Sequence, residues 1–381
     1  MKKAKVAQIG CRGIPNQRGG VERVIEAIAP RLVALGYDVT VHCASWSGYR
    51  KRWYRGVRLR YTFSIRSKHL DTFVRSLLAT LKELAGPSNI VHYHGIGSAP
   101  LALLARLSGK KVVVTVHGLD WQRRKWNIVA EWFLRIGELA SVKIPHETVV
   151  VGQELKRSLD QRYAADVTYI PNGVEERHPR AANRITKFGV GHRNYILFLA
   201  RLVPEKQCHL LIKAFLGLPN RHGMTLIIAG AVWHSESYVA SLKEIAGGDP
   251  SVVFLGEVDE EVLEELYSNC YAYVLPSEVE GMSLSLLDAM AFGTCIIASD
   301  IPANAEVVSD CGFLFSTGSV ADLRAKLETV MTQPERAASC RTAALRRMST
   351  EFNWDRIAGE WDALYLKLLR PGDSVGVASS S

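Results

Sequence analysis

Two cations stand five residues apart in Ala200-Arg201-Leu202-Val203-Pro204-Glu205-Lys206, directly after the strand-like run Tyr195–Ala200. A guanidinium is a planar fork and an ammonium a point charge, so the pair at a strand end suits a diphosphate. Further along, Tyr271–Leu275 runs into Pro276-Ser277-Glu278-Val279-Glu280-Gly281-Met282-Ser283, then into an amphipathic segment, Leu284–Phe292, that carries Asp288. A helix start offers unpaired N–H groups to an anion, whereas carboxylates accept from hydroxyls. Amides beside Glu280 and Asp288 therefore suit a ligand with both phosphate and vicinal diols. The third group is Gly10-Cys11-Arg12-Gly13-Ile14-Pro15-Asn16-Gln17-Arg18-Gly19-Gly20-Val21-Glu22, where glycines between a strand and a helix let backbone approach a phosphate. Each has a plainer reading too: tight turns for the glycines, ordinary strand-flanking charge for Arg201 and Lys206, and helix-dipole compensation for Glu280.

Gly10 and Gly13 are three apart, and the second strand ends at Val41-His42-Cys43 without an acid. Dinucleotide binding thereby loses both of its usual supports. No D-x-D triplet occurs, which favours a site without a metal. His92 and His94 alternate in Ile90-Val91-His92-Tyr93-His94; they read as polar residues of a core strand more readily than as metal ligands.

Positioning these groups requires strands and helices in alternation, and the chain supplies it. Strands are expected at Val6–Gly10, Val39–Cys43, Val57–Phe63, Ile90–His94, Val112–Val116, Thr148–Val151 and Val167–Ile170. Helices are expected at Val21–Leu35, Leu70–Leu84, Pro100–Leu107 and Ile128–Leu139. Pro171-Asn172-Gly173 is a turn, Glu175–Asn194 is polar, and the alternation restarts at Tyr195. Parallel sheets covered on both faces follow. The chain thus reads as α/β, with two Rossmann-like domains at 1–180 and 181–350, a terminal helix at 351–370 and a disordered tail at 371–381. With 381 residues, 48% apolar and 22% charged, the composition is globular and long enough for two domains. Seven scattered cysteines without a C-x-x-C pair suit reduced thiols. The N-terminus enters a strand without the apolar stretch of a signal peptide, so a cytoplasmic location is expected.

Together the constellations resemble retaining glycosyltransferase family 4, whose members adopt the GT-B architecture of two domains facing across a cleft. The family's Glu-x7-Glu motif is matched by Glu280 and, with a change, Asp288. Gly19-Gly20-Val21-Glu22, Thr115-Val116-His117, Pro171-Asn172-Gly173-Val174, Arg201…Lys206 and the Phe352-Asn353-Trp354 helix, similar to the family's crossing helix, extend the likeness over about residues 4–368. Gly10–Glu22 and Thr115–Arg123 also look like a bacterial subgroup associated with surface-polysaccharide assembly, including rhamnosyl transfer.

The resemblance implies a role for each matched residue. Arg201 and Lys206 neutralise the donor diphosphate, with help from the amides near Gly281, Met282, Ser283 and Leu284. Glu280 holds hydroxyls of the transferred sugar, Asp288 those of the ribose, and His117 the sugar or its phosphate. Gly19 and Gly20 give backbone access to the phosphate, and the loops at Gly230 and Val258 meet the base. Arg12, Asn16, His94, Asp120 and Arg123 are acceptor-side candidates. No metal and no cofactor beyond the nucleoside-diphosphate sugar is expected. The chain departs from the family at Asp288, shorter than Glu by about 1.5 Å, at Gln207, where Gly is common, and at Met282-Ser283, where Phe-Gly is frequent.

Net charge is +9, and residues 50–75 hold nine Lys/Arg against one acid. Such a focus points to an anionic partner. Nucleic acid is disfavoured because no nucleic-acid-binding motif accompanies the charge. Together with Trp121-Gln122-Arg123-Arg124-Lys125-Trp126, the stretch suggests a glycan or lipid-diphosphate-linked acceptor at an anionic membrane face; a basic face serving only solubility is the simpler alternative. Rival functions on the same architecture are a sugar-nucleotide epimerase, a glycan phosphorylase and a non-catalytic nucleotide-sugar-binding module.

Overall fold

The computed structural model describes residues 3–15, 19–64, 71–119, 121, 128–232 and 235–370. The expected sites Asn16, Asp120 and Arg123, most of the 121–126 cluster and the tail lie outside them.

In the first domain the elements are β1 (Lys5–Ile9), α1 (Gly20–Ala34), β2 (Asp38–Ala44), β3 (Trp53–Tyr54), β4 (Val57–Thr62), α2 (Asp71–Leu84), β5 (Ile90–His94), α3 (Ala102–Leu107), β6 (Lys111–Val116), α4 (Ile128–Lys143), β7 (Glu147–Val150), α5 (Gln153–Tyr163) and β8 (Thr168–Tyr169). Those of the second are β9 (Tyr195–Leu199), α6 (Cys208–Leu216), β10 (Thr225–Ala229), α7 (Glu236–Ala246), β11 (Val252–Gly256), α8 (Glu260–Asn269), β12 (Ala272–Leu275), α9 (Leu284–Ala291), β13 (Cys295–Ser299), α10 (Pro302–Val308), β14 (Phe313–Phe315), α11 (Val320–Thr332) and α12 (Pro334–Glu351). The last helix is α13 (Trp354–Leu369).

The first sheet runs β3-β4-β2-β1-β5-β6-β7-β8 and the second β11-β10-β9-β12-β13-β14. Every pairing is parallel except β3 with β4. Strand order reverses between β1 and β5 in one sheet and between β9 and β12 in the other. At such a point the connections diverge to opposite faces and leave a crevice beyond the strand ends. Gly10 and His94 end the first pair; the Arg201 and Glu280 loops leave the second.

The expected α/β plan is present, with shifts of a residue or two at the ends of elements. Unanticipated are α5, α7, α10, β14 and the hairpin β3–β4, which turns at Arg55 and Gly56, both at positive φ. That hairpin revises the basic stretch. Arg75 is buried against Asp71 at 2.6 Å, Arg60 reaches Glu83 at 3.0 Å, and Arg58 lies 5.1 Å above the Trp53 ring. Arg50, Lys51, Arg52 and Arg55 remain exposed. All seven cysteines are free, and six are buried.

The chain crosses between domains twice at one place. Outbound, Val174 donates its N–H to the Phe352 carbonyl at 2.7 Å and forms a parallel bridge with Asn353. Inbound, the Asn353 side chain caps α13 by accepting from the Asp355 and Arg356 amides. Trp354, Ile357, Trp361, Leu364, Tyr365 and Leu368 then bury themselves in the first domain's core. Each such side chain contributes about 1.5–3 kcal/mol of hydrophobic stabilisation. Arg31 on α1 ties the junction, bonding Glu175 at 2.8 Å and Asp355 at 2.6 Å.

Gly173 sits in this junction without room for a side chain: a Cβ there would lie 2.6 Å from the Trp354 ring. Gly173→Ala is expected to lower unfolding free energy by about 1–3 kcal/mol through overpacking. Urea denaturation of the variant beside the wild type measures it.

Candidate active site

The groups scattered over the sequence meet at the two facing crevices. Lys206, in a single 3-10 turn after β9, forms an ion pair with Glu280 from the loop after β12. Both side chains are about nine-tenths buried. An ammonium and a carboxylate so placed compensate each other, and the pairing fixes the position of the Lys206 cation. Gln207 holds the turn in the left-handed region at φ 49° and donates its amide to Glu278 at 2.7 Å. That φ gives a physical reason for glycine at this position. Arg201, on the same loop, is exposed.

Gly281 approaches the first domain so closely that a Cβ would collide with the His117 carbonyl oxygen, and Gly118 lies directly beside it. Ser283 caps α9 by accepting from the Leu286 amide. Met282 is buried, and its sulfur accepts from the Asn172 backbone N–H at 3.3 Å, tying the Glu280 loop to the interdomain segment. Leu284 packs against the cores of both domains. Gly230, at φ 153°, ends β10 where its Cα abuts the Ala200 carbonyl; Val258 packs on the second domain's core.

Across the cleft, Gly19 is extended and precedes α1, with the Glu22 carboxylate over it; that carboxylate also accepts the Arg12 amide at 2.9 Å. A Cβ on Gly20 would meet nothing, so nothing in the fold demands glycine there, and the space is open for a ligand. His94 is buried rather than presented to the cleft: Nδ1 lies 3.1 Å from His117 Nε2, and Nε2 lies 2.5 Å from Gln8 Oε1.

Asp288 has a setting that its position in the sequence did not signal. Its side chain is 4% exposed, with Oδ2 2.6 Å from Arg23 of α1 and Oδ1 3.3 Å from Arg177 of the linker. Arg177 also bonds Glu264 at 3.1 Å. The carboxylate raises the Arg23 pKa further, more than burial lowers it. Arg23, Arg177 and Gln8 all escaped the sequence reading. Arg23 and Asp288 are paired only by the meeting of two domains, and no local pattern marks Gln8 in its strand.

Burial pushes the His92 pKa down to about 3, helped by His117, and holds His94 well below the usual imidazole range. Unfolded, both titrate near 6.5. Stability is therefore fully present above about pH 6.5 and falls as pH drops toward 3, by about 1.4 kcal/mol per pH unit for His92, with His94 acting in the same direction. His92→Gln is expected to flatten the dependence of urea midpoint on pH between 6.5 and 4.5 by about one proton.

Two family models match: "Glycosyltransferase Family 4" over residues 18–178 and "Glycosyl transferases group 1" over residues 182–347. A GDP-mannose-dependent alpha-(1-6)-phosphatidylinositol monomannoside mannosyltransferase of Mycolicibacterium smegmatis is 25% identical over 371 residues, covering 89% of this chain and 93% of that protein. The lipopolysaccharide core biosynthesis mannosyltransferase LpcC of Rhizobium leguminosarum bv. viciae is 28% identical over 215 residues, 53% of this chain and 60% of its own. In fold, the chain is similar to Anabaena Alr3699/HepE solved with UDP and glucose: TM-score 0.80, 16% identity, 96% of this chain and 100% of that one. With one model on each Rossmann-like domain and the cleft between them, the chain belongs to the family 4 glycosyltransferases, nucleotide-sugar-dependent enzymes of GT-B architecture.

Proposed function

We propose that the protein is a retaining, metal-independent transferase that moves a hexosyl or deoxyhexosyl group from a nucleoside-diphosphate sugar to a glycan or lipid-linked sugar in bacterial surface-polysaccharide biosynthesis. The observation that carries the reading is the Lys206–Glu280 pair at the switch point of the second sheet, facing His117 across the cleft. Lys206 and Arg201 offset the negative charge that grows on the departing diphosphate, and the amides at the start of α9 add hydrogen bonds. Glu280 accepts from hydroxyls of the transferred sugar. As the anomeric carbon–oxygen bond to phosphate breaks, the acceptor oxygen bonds that carbon on the same face, and its proton passes to the leaving phosphate oxygen. No buried nucleophile is needed. Asp288 takes the ribose hydroxyls, sharing its oxygens with Arg23 and Arg177.

The acceptor reading draws on the first domain. Arg50, Lys51 and Arg52 are exposed there, and α4 turns Ile128, Trp132, Ile136 and Leu139 to solvent, with Ile128 78% and Trp132 66% exposed. That spacing is one helical face; an exposed apolar helix face and exposed cations on the same domain suit the headgroup layer of an anionic bilayer. Among the described residues no helix is long and apolar enough to cross a membrane. The Mycolicibacterium relative, whose name specifies a phosphatidylinositol-linked acceptor, supports the same direction.

Thermal shift with UDP, GDP, dTDP and ADP in EDTA is the direct test: one of them should raise Tm, and its sugar derivative should support turnover without added metal. Lys206→Ala is expected to lower kcat about 10²–10³-fold, and Glu280→Ala to abolish transfer. Undiminished turnover in either variant overturns the assigned role. For the membrane, the wild type should sediment with phosphatidylglycerol vesicles at low salt, and Arg50→Glu/Lys51→Glu/Arg52→Glu should weaken that binding. A wild type that stays in the supernatant overturns the bilayer reading.

A further inference from the structure

Where the two domains meet, one short carboxylate holds two cations of unequal exposure. Asp288 stands in the second turn of α9 with its side chain 4% exposed, and Arg23 in the first turn of α1 with its side chain 44% exposed. Arg23 Nη2 donates to Oδ2 at 2.6 Å, and Arg177 Nη2 donates to Oδ1 at 3.3 Å. Arg177 is further occupied within the second domain, bonding Glu264 at 3.1 Å and lying 5.6 Å from the Phe292 ring. Arg23 differs: it reaches Asp288 from the opposite domain, 265 positions away in sequence, and it is the member of the group that water touches. Three residues before it, a Cβ on Gly20 would meet nothing, so the start of α1 adjoins open space. Aspartate is shorter than glutamate by about 1.5 Å, which keeps this carboxylate close to α9 and leaves the guanidinium as the exposed end of the pair.

We propose that Arg23 is a ribose-reading residue of the donor site, donating from the first domain to hydroxyl oxygens of the donor's ribose while Asp288 accepts from the same diol from the second. A hydroxyl has one hydrogen to give and lone pairs to receive. An ionised carboxylate only accepts and a guanidinium only donates, so the two together answer both needs of a vicinal diol, and neither does so alone. The planar guanidinium can bond Asp288 through one nitrogen and a hydroxyl through another, which an ammonium on a flexible stem does less well. The Asp288 charge also holds Arg23 protonated, so the donor is present at every working pH. Because the two groups belong to different domains, the diol is read in full only while α1 and α9 face each other. The ribose assignment rests on the donor-cleft reading above, which gives Asp288 those hydroxyls; the Arg23–Asp288 pair does not.

Isothermal titration of the full chain tests it, with UDP, GDP, dTDP or ADP, whichever binds, set beside a dideoxy counterpart that lacks both ribose hydroxyls. The wild type should bind the form with its hydroxyls at least about 10-fold more tightly, as expected of hydrogen bonds to charged groups. In Arg23→Gln that ratio should fall about 5-fold, through weaker binding of the hydroxylated form, with the dideoxy form held within about 2-fold of its wild-type affinity. Arg23→Lys keeps a cation beside Asp288 without the planar fork and so separates reading from folding. Its urea midpoint should stay near that of the wild type while its ratio falls toward that of Arg23→Gln. A ratio unchanged in both variants overturns the role of Arg23 and leaves the ribose reading of Asp288 standing. Equal weakening of both forms also overturns it and makes Arg23 an interdomain tie alone. A wild type that binds the two forms equally overturns the ribose reading and this inference with it, and one that binds none of the four nucleotides overturns the donor cleft and the inference together.

Discussion

Everything about the cleft depends on the double crossing at Val174 and Asn353. A two-domain chain with a single linker leaves its domains free to rotate, because one extended strand resists little. Here the outbound linker hydrogen-bonds to the inbound segment, and α13 buries one whole face in the domain the chain first left. Detaching the helix would expose two tryptophans, a tyrosine and several aliphatic side chains to water. That cost holds the switch point of one sheet opposite the switch point of the other. Glycine at 173 is part of the same constraint, since linker and Trp354 occupy adjoining space.

Charge completes what packing begins. Asp288 and Glu280 are buried carboxylates, and each has a cation beside it: Arg23 and Arg177 for the first, Lys206 for the second. One of these pairs, Arg23 with Asp288, spans the cleft. The protein thus avoids bare buried charge at these two carboxylates.

The basic segment shows how poorly local charge maps onto function. Of the nine cations in sequence, the seven described divide, once folded, into groups that serve the fold, such as Arg75 and Arg60, and groups left facing water, such as Arg50, Lys51 and Arg52. Only the second kind is available to an anionic surface. The exposed apolar face of α4 had no conspicuous signature, because a helical run of Ile, Trp, Phe and Leu reads as core until its neighbours are known.

The alternation of elements, the two sheets and the crossing helix were all legible in the amino-acid order, because period and punctuation are local properties of a chain; Pro171-Asn172-Gly173 forms no turn and instead leads into the bridge at Val174. Legible too was the place of Arg201, Lys206, Glu280 and the glycine loops just beyond strand ends, since the order of elements in a parallel α/β sheet fixes where such loops fall. Short elements such as β3 and β14 were not, as two or three residues carry no period. Nor were the partners of Asp288, the burial of His94 or the alignment of Gln8, His94 and His117. These depend on residues 23 to 265 positions apart being brought together by strand register and by domain docking, and propensity contains neither. Residue types along the chain determined what chemistry was available; tertiary packing decided which charges face each other, because Coulombic and hydrogen-bond energies depend on distance in space and not along the sequence.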